Sequence, residues 1–405
     1  MNKSKKLSLD AQIFIGLALG IIAGIAFMSI GMAEWTESYI KPFGTIFLNL
    51  LKFIVVPIVL SSIISGVISM SDIKKVGSIG WKTVAYYMCT TAFAVVIGLT
   101  AANIFKGTYQ VLETTGLEYE TSASVNFMDT LVGIFPSNFL APMVNANMLQ
   151  VIVIALLFGF GILLAGEKGA PVAAFVNSLS EVSLCVMTLI LKLSPIGVFC
   201  LITPVVAVNG PQILGSLALV LLTAYLAYIF HAVLVYSSTV KALGGLSPVE
   251  FFKGMFPAII MGFSSASSVG TIPINLECVE KLGAKKDIAS FVLPLGATIN
   301  MDGTSIYQGV CAVFIATCYG IDLTLPQMLT IVLTATLASI GTAGVPGSGM
   351  IMLAMVLQSV GLPVEGIALV AGVDRIFDMG RTVVNITGDA ACTLIISKIE
   401  SRKEA

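Results

Sequence analysis

Residues 374–389, DRIFDMGRTVVNITGD, lie inside a run that is otherwise apolar from Gly366 to Ile396 and long enough to cross a bilayer. Asp374, Asp378, Arg381, Asn385 and Asp389 follow one another at intervals of 4, 3, 4 and 4 residues. At roughly 100° per residue, their side chains fall within an arc of about 80° on one helix face. An ionised Asp or Arg at the centre of a spanning helix costs about 2.5 to 3.5 kcal/mol on insertion scales. A stripe this dense must face protein, water, ions or a ligand, and not lipid. As a purely structural seam it would need three Asp to be satisfied by Arg381 and the neighbouring Arg375. A substrate and ion site is the stronger reading.

The rest of the chain is built to surround such a helix with membrane. Of its 405 residues 57% are hydrophobic and 11% charged, with a mean hydropathy of +1.00. Soluble domains carry about 25% charged residues, so the expected class is an all-α polytopic membrane protein. The net charge of −1 points to no nucleic-acid partner. Seven cysteines without a CxxC pair support neither a disulfide frame nor a cysteine metal site. They read as buried small hydrophobes, and the single His231 as a satisfied interhelical hydrogen-bonder. The start, MNKSKK followed by an apolar stretch from Ala11 to Ala33, is too long for a signal h-region and reads as a retained first span.

Apolar runs place spans at roughly 11–33, 43–70, 80–105, 149–166, 172–205 and 211–240, with broken or interfacial helices from Phe127 to Asn147. Lys3, Lys5, Lys6, Lys74 and Lys75 mark cytoplasmic ends, while Glu113, Glu118 and Glu120 mark an external loop. Alternation then fails. The stretch from Gly254 to Leu276 is of spanning length but basic on both flanks, and its middle is FSSASSVG. A helical hairpin that enters from the cytoplasm and returns to it fits both facts. A seventh span, Ile288 to Gly320, is interrupted by NMDGT, Asn300 to Thr304. The next stretch, Pro326 to Leu362, is split by TAGVPGSG and lacks Lys or Arg at its flanks, so this hairpin is expected to dip in from outside. The striped helix is the eighth span. Hairpin and broken span, then inverted hairpin and striped span, is the pattern of a transporter with inverted repeats and a site at midplane.

The chemistry of the stripe narrows the ligand. Arg381 presents a planar fork for a carboxylate, and Asp378, three residues earlier, offers a partner for an ammonium. An amino acid with an acidic side chain uses both. Asp302 and Asp389 are hard oxygen donors beside backbone carbonyls, which suits a hard cation.

NMDGT, the two hairpin tips and DMGRTVVNITGD together resemble the dicarboxylate/amino acid:cation symporter family of sodium-coupled glutamate and aspartate transporters, over essentially the whole chain. The resemblance implies eight transmembrane helices plus two oppositely oriented re-entrant hairpins (about 250–280 and 326–362), in one membrane unit over residues 1–405. It implies a homotrimer whose protomers have a scaffold, roughly 11–70 and 127–205, and a mobile transport core, roughly 72–105 and 211–397. By matching motif, Ser268 and Asn385 hold the substrate's main-chain carboxylate, Asp378 and Thr382 its amino group, and Arg381 and Thr304 its side-chain carboxylate. Val345 and Gly349 close over it. Sodium sites draw on Gly296, Asn300, Asn385 and Asp389; on Thr298, Ser339, Ile340 and Thr342; and on Tyr87, Thr90, Thr91, Asn300 and Asp302. One departure stands out. Many members carry an extra arginine at the first hairpin tip or beside Asp378, positions that are Ala266 and Met379 here, while Arg375 follows Asp374.

The expected function is sodium-coupled symport of aspartate or glutamate into the cell by alternating access, with about three Na⁺. The protein is then no enzyme but a multi-pass protein of the cell (inner) membrane, with both termini cytoplasmic. The alternative within the family is a proton-coupled C4-dicarboxylate or cystine carrier. Such dicarboxylate carriers typically lack the carboxylate at Asp378 and have Asn in place of Asp389, and both Asp are present. A serine protease using a serine of 264–268 with His231 as base would leave the charged stripe unexplained.

Overall fold

The computed structural model describes residues 9–69, 78–109, 111, 132–133, 135–145, 147–340, 344 and 347–404, and every regular element among them is helical. Helices α1 (Leu9–Ser29), α2 (Ala33–Tyr39), α3 (Lys41–Ser69) and α4 (Ser78–Phe105) open the chain. They are followed by α5 (Ala141–Val144), α6 (Met148–Ala165), α7 (Ala170–Leu191) and α8 (Ser194–Asn209). Helix α9 (Ile213–His231) runs on through a π turn (Ala232–Tyr236), a short α segment (Ser237–Thr239) and a second π turn (Val240–Gly244). Next come α10 (Pro248–Ser265), α11 (Ser268–Lys281), α12 (Lys286–Ile299), α13 (Asp302–Cys318), α14 (Leu325–Ser339), α15 (Ser348–Ser359), α16 (Ile367–Ala371) and α17 (Asp374–Glu404). Six helical stretches of the described residues are long and apolar enough to cross a membrane. The protein is a polytopic, all-helical membrane protein.

The helices pack in two groups. One joins α1, α3, α6, α7 and α8, with α1 along α8 and α3 against α6 and α7. The other joins α4 with α9–α17, with α13 against α4 and with α10, α12 and α13 around α17. That packing explains how the striped helix is tolerated. The spanning window of α17 is 83% buried inside the protein, against 11% for α1, so its polar stripe is enclosed by protein.

Both stretches that broke the alternation of spans are pairs of packed helices. Helix α10 ends where Ala266 turns left-handed (φ 49°), a conformation that costs a non-glycine residue about 1–2 kcal/mol. Ser267 then caps α11 by accepting from the Gly270 N–H at 3.1 Å. In the second pair, a capping box of Thr324 and Gln327 starts α14, and Gly347 (φ 82°) precedes α15. The break at NMDGT is real: Asn300 is extended and separates α12 from α13.

One span boundary is corrected. Residues 172–205 are not one helix but α7 and α8, interrupted at Lys192–Leu193. Pro195, in the first turn of α8, lacks the N–H that a continuous helix would need there. Five cysteines are buried as expected, whereas Cys89 and Cys185 are exposed. The terminal lysines 3, 5 and 6, Lys74, Lys75 and the external glutamates 113, 118 and 120 lie outside the described residues.

Candidate functional site: a buried charge network between two hairpin tips

The spacing of the stripe brings its members together as one helix face should. Asp374, Asp378, Arg381, Asn385 and Asp389 are all buried. Arg381, 1% exposed, donates from Nε to Asp378 Oδ1 at 2.7 Å. Its Nη1 and Nη2 donate to Asp374 Oδ1 and Oδ2 at 3.0 and 3.3 Å. The guanidinium carbon also stands 4.7 Å from the Tyr307 ring centroid, a cation–π contact. Asp374 therefore fills the fork. A carboxylate ligand at Arg381 has to take over N–H groups from Asp374 or use the ones left.

Asp378 ties this network to both hairpins. Its Oδ2 accepts from the Gly347 N–H of the second tip at 3.0 Å. Arg375, whose placement the sequence left open, stands 3.9 Å from the same oxygen and donates to the Ser265 carbonyl of the first tip at 3.5 Å. The tips also meet each other: Val269 N–H and Ser267 Oγ–H both point at the Gly344 carbonyl, at 3.3 and 3.2 Å. Ser268 sits at this junction, buried, close enough that a Cβ on Gly344 would come within 2.9 Å of its own Cβ. Gly349 packs flat on the Arg381 guanidinium, where any Cβ would overlap it. Gly349→Ala is thus expected to displace the guanidinium and lower acidic amino acid uptake by about tenfold or more. Uptake at the wild-type rate would show that this close approach is dispensable.

A second cluster lies one to two turns further along α17. Asn385 accepts from the Gly303 N–H at 2.8 Å, and its Nδ2 lies 3.4 Å from Thr304 Oγ1. Asn300 donates to the Asn385 carbonyl (2.8 Å) and to Asp389 Oδ1 (2.9 Å). Its own Oδ1 is buried with no hydrogen-bond partner. An orphaned buried oxygen beside a carboxylate suits a bare cation, because it needs a positive ligand and not a donor it must share. Gly296 lies against both Asp389 and the Tyr87 hydroxyl. Asp302, fully buried, accepts from Thr91 Oγ1 at 2.7 Å on Oδ1.

Other predicted residues are less drawn together. Thr90 and Tyr87 bond to the Tyr87 and Val292 carbonyls. Thr298 and Ser339 bond back to Leu295 and Thr336 of their own helices. Ile340 ends α14 in an extended conformation. Thr382 is buried one residue beyond Arg381. Val345 and Thr342 lie outside the described residues. Sequence reasoning missed Tyr307, Tyr236 and the backbone donors Gly303 and Gly347. Tyr307 looks like any core aromatic, and backbone donors leave no mark in side-chain spacing. His231 is an interhelical hydrogen-bonder, as expected, through Asp302, with the Tyr236 ring against it; it is not fully satisfied, because its Nδ1 is buried with no hydrogen-bond partner.

A cavity of about 60 Å³ separates Asp374, Arg375 and Asp378 from Leu191 and Ser194 of the other helix group. It has room for a few waters and none for an amino acid.

Fold and site define a class: a helical membrane protein with a buried carboxylate–guanidinium site held between two hairpin tips. The chain belongs to the sodium:dicarboxylate symporter family, whose model matches residues 9–399. It is 39% identical over 407 residues to the proton/sodium-glutamate symport protein of Geobacillus stearothermophilus, covering 98% of this chain and 96% of that one. It is 37% identical over 414 residues to the proton/glutamate-aspartate symporter of Escherichia coli K12, covering 99% and 94%. The C4-dicarboxylate transport protein of Bacillus subtilis is 32% identical over 402 residues, covering 97% and 94%.

Proposed function

We propose that this protein is a sodium-coupled secondary symporter that imports aspartate or glutamate by alternating access. The observation that carries the reading is the buried Arg381–Asp378 pair set between the two tips. A guanidinium fork and a carboxylate side by side match the two charge types of an acidic amino acid, and removal of both from water makes each discriminate strongly. The names of the relatives, two of them glutamate carriers, support the substrate class. The presence of Asp378 and Asp389 favours this over the C4-dicarboxylate reading, because a second carboxylate substrate offers Asp378 no cation. The orphaned Asn300 oxygen beside Asp389 supports sodium as the coupling ion.

The site residues keep the roles given by family motif: Ser268, Thr304, Val345, Gly349, Asp378, Arg381, Thr382 and Asn385 for substrate, with the three oxygen-rich sets for sodium. The two helix groups are read as scaffold and transport core, in a homotrimer of eight-span protomers with cytoplasmic termini. The second hairpin supports a particular state. Helix α15 is buried and packs on α3 and α6, whereas α10 exposes Val249, Phe256, Ile260 and Phe263. With the first hairpin on the cytoplasmic side, the outer hairpin packs on the first helix group while the inner one packs mainly within its own, which supports an inward-oriented arrangement.

Purified protein in liposomes, with sodium and proton gradients imposed separately, tests the function. Sodium-driven aspartate or glutamate uptake is expected; uptake of succinate without either amino acid would overturn it. Topology has its own test, in a background lacking the native cysteines. A cysteine replacing Ser267 should label from the cytoplasmic side and one replacing Pro346 from outside. Equal labelling of both from one side would sink the opposed-hairpin reading.

A further inference from the structure

Asp302 is held by more than the family's motif residues. Its Oδ2 accepts from the Tyr236 hydroxyl at 2.8 Å and stands 3.2 Å from His231 Nε2. A carboxylate can only accept, so His231 is protonated at Nε2. The two donors come from one helix, five residues apart. On an α-helix that spacing leaves side chains about 140° apart, on different faces. The π turn Ala232–Tyr236 closes with wider, i→i+5 geometry and returns the fifth residue close to the first. The rings of His231 and Tyr236 thereby pack edge to face, with centroids 4.8 Å apart and planes at 88°. Helix α17 makes room for this: a Cβ at Gly388 would come 2.6 Å from Tyr236 Oη and 2.5 Å from Asn300 Nδ2. The Tyr236 hydroxyl also lies 3.1 Å from the Val384 carbonyl, which ties α9 to α17 beside Asp302.

We propose that His231 and Tyr236, aligned by the π turn, are positioning residues for the coupling-ion site at Asp302. This rests on the reading of Asp302 as a sodium ligand. A carboxylate rotates about its last torsion through a broad, two-fold well, so on its own Asp302 has no fixed face. Two donors on Oδ2 remove that freedom and turn Oδ1 to α4, where Thr91 meets it at 2.7 Å and Tyr87 and Thr90 are close in sequence. Both donors act on a fully buried carboxylate, where hydrogen bonds are stronger than in water. An ion entering the site meets an oxygen already aimed at it. His231 and Tyr236 do not touch the ion; they set the direction of the group that does.

The test separates sodium binding from transport. Sodium-dependent thermal stabilisation of the purified, full-length protein in detergent, without amino acid, gives the half-saturating sodium concentration. Tyr236→Phe keeps the ring and loses only the donor. It is expected to raise that concentration by about tenfold, the loss of one hydrogen bond to a charge. Aspartate affinity at saturating sodium should stay within about twofold. His231→Leu should behave likewise, and His231→Gln, which keeps an N–H donor, should recover most of the sodium affinity. Half-saturating sodium within about twofold of wild type in both Tyr236→Phe and His231→Leu would overturn the proposal. So would a parallel fall in sodium and aspartate affinity, which marks general damage. Asp302→Asn tells the two levels apart. If it too leaves sodium dependence unchanged, the assignment of Asp302 as a cation ligand fails; if it alone abolishes the dependence, only the positioning role fails.

Discussion

Arg381→Thr and Arg381→Cys are expected to abolish uptake of aspartate and glutamate and to open the site to small neutral amino acids. The fork of Arg381 is the cation in direct contact with Asp378 that can pair a second substrate carboxylate, and burying that carboxylate unpaired costs several kcal/mol. The structure adds a complication that shapes the experiment. Arg381 also balances Asp374 and Asp378, both with side chains only 6% exposed. Removing it leaves two buried carboxylates short of a partner, which by itself threatens the fold. Arg381→Lys is the necessary companion, because it keeps a charge for the two aspartates while losing the planar fork. It should fold and still lose acidic substrate. Binding and uptake of labelled aspartate and glutamate by both kinds of variant decide the matter: affinity within about threefold of wild type would remove Arg381 from substrate recognition.

How far the sequence revealed the site depends on which physical signal each part leaves. The stripe on α17 was legible because charge in an apolar run is costly and helical spacing is regular, and the fold places all five residues inside the protein. The hairpins were legible because Ser/Gly and Gly/Pro tracts interrupt otherwise spanning lengths. The network that joins them was not. Gly347 and Gly303 contribute only backbone N–H groups, which no residue pattern announces. Tyr236 meets Asp302 only because α9 departs from α geometry, so its distance from His231 in sequence looks wrong for a shared face. The split between α7 and α8 was available in Pro195, but hydropathy alone ran through it. A structural seam asks Arg381 and Arg375 to satisfy three Asp, and Arg381 alone takes two of them: seven residues are two helical turns, so its guanidinium reaches back to Asp374 as well as to Asp378.

Charge in that same network sets an expected coupling. Asp302, Asp374, Asp378 and Asp389 face Arg375 and Arg381, which leaves two negative charges uncompensated among these six. Arg375 counts here because its side chain stays only 12% exposed, 3.9 Å from Asp378, and does not reach for the interface. An acidic amino acid brings one further net negative charge. Moving such an excess through low dielectric is costly, so near-neutrality of the loaded core asks for about three monovalent cations. Aspartate uptake should then depend cooperatively on sodium and carry net positive charge inward. Asp389 is the residue through which to test this, since Asn300 Nδ2 holds its Oδ1 and the same carboxamide carries the partnerless oxygen. Asp389→Asn removes one charge without removing bulk, and should raise the sodium requirement more than it weakens aspartate binding at saturating sodium. Uptake currents and reversal potentials in proteoliposomes read the count directly. Electroneutral uptake, or a reversal potential that fits a single sodium per aspartate, would mean that the buried charges are neutralised by protons and not by metal ions.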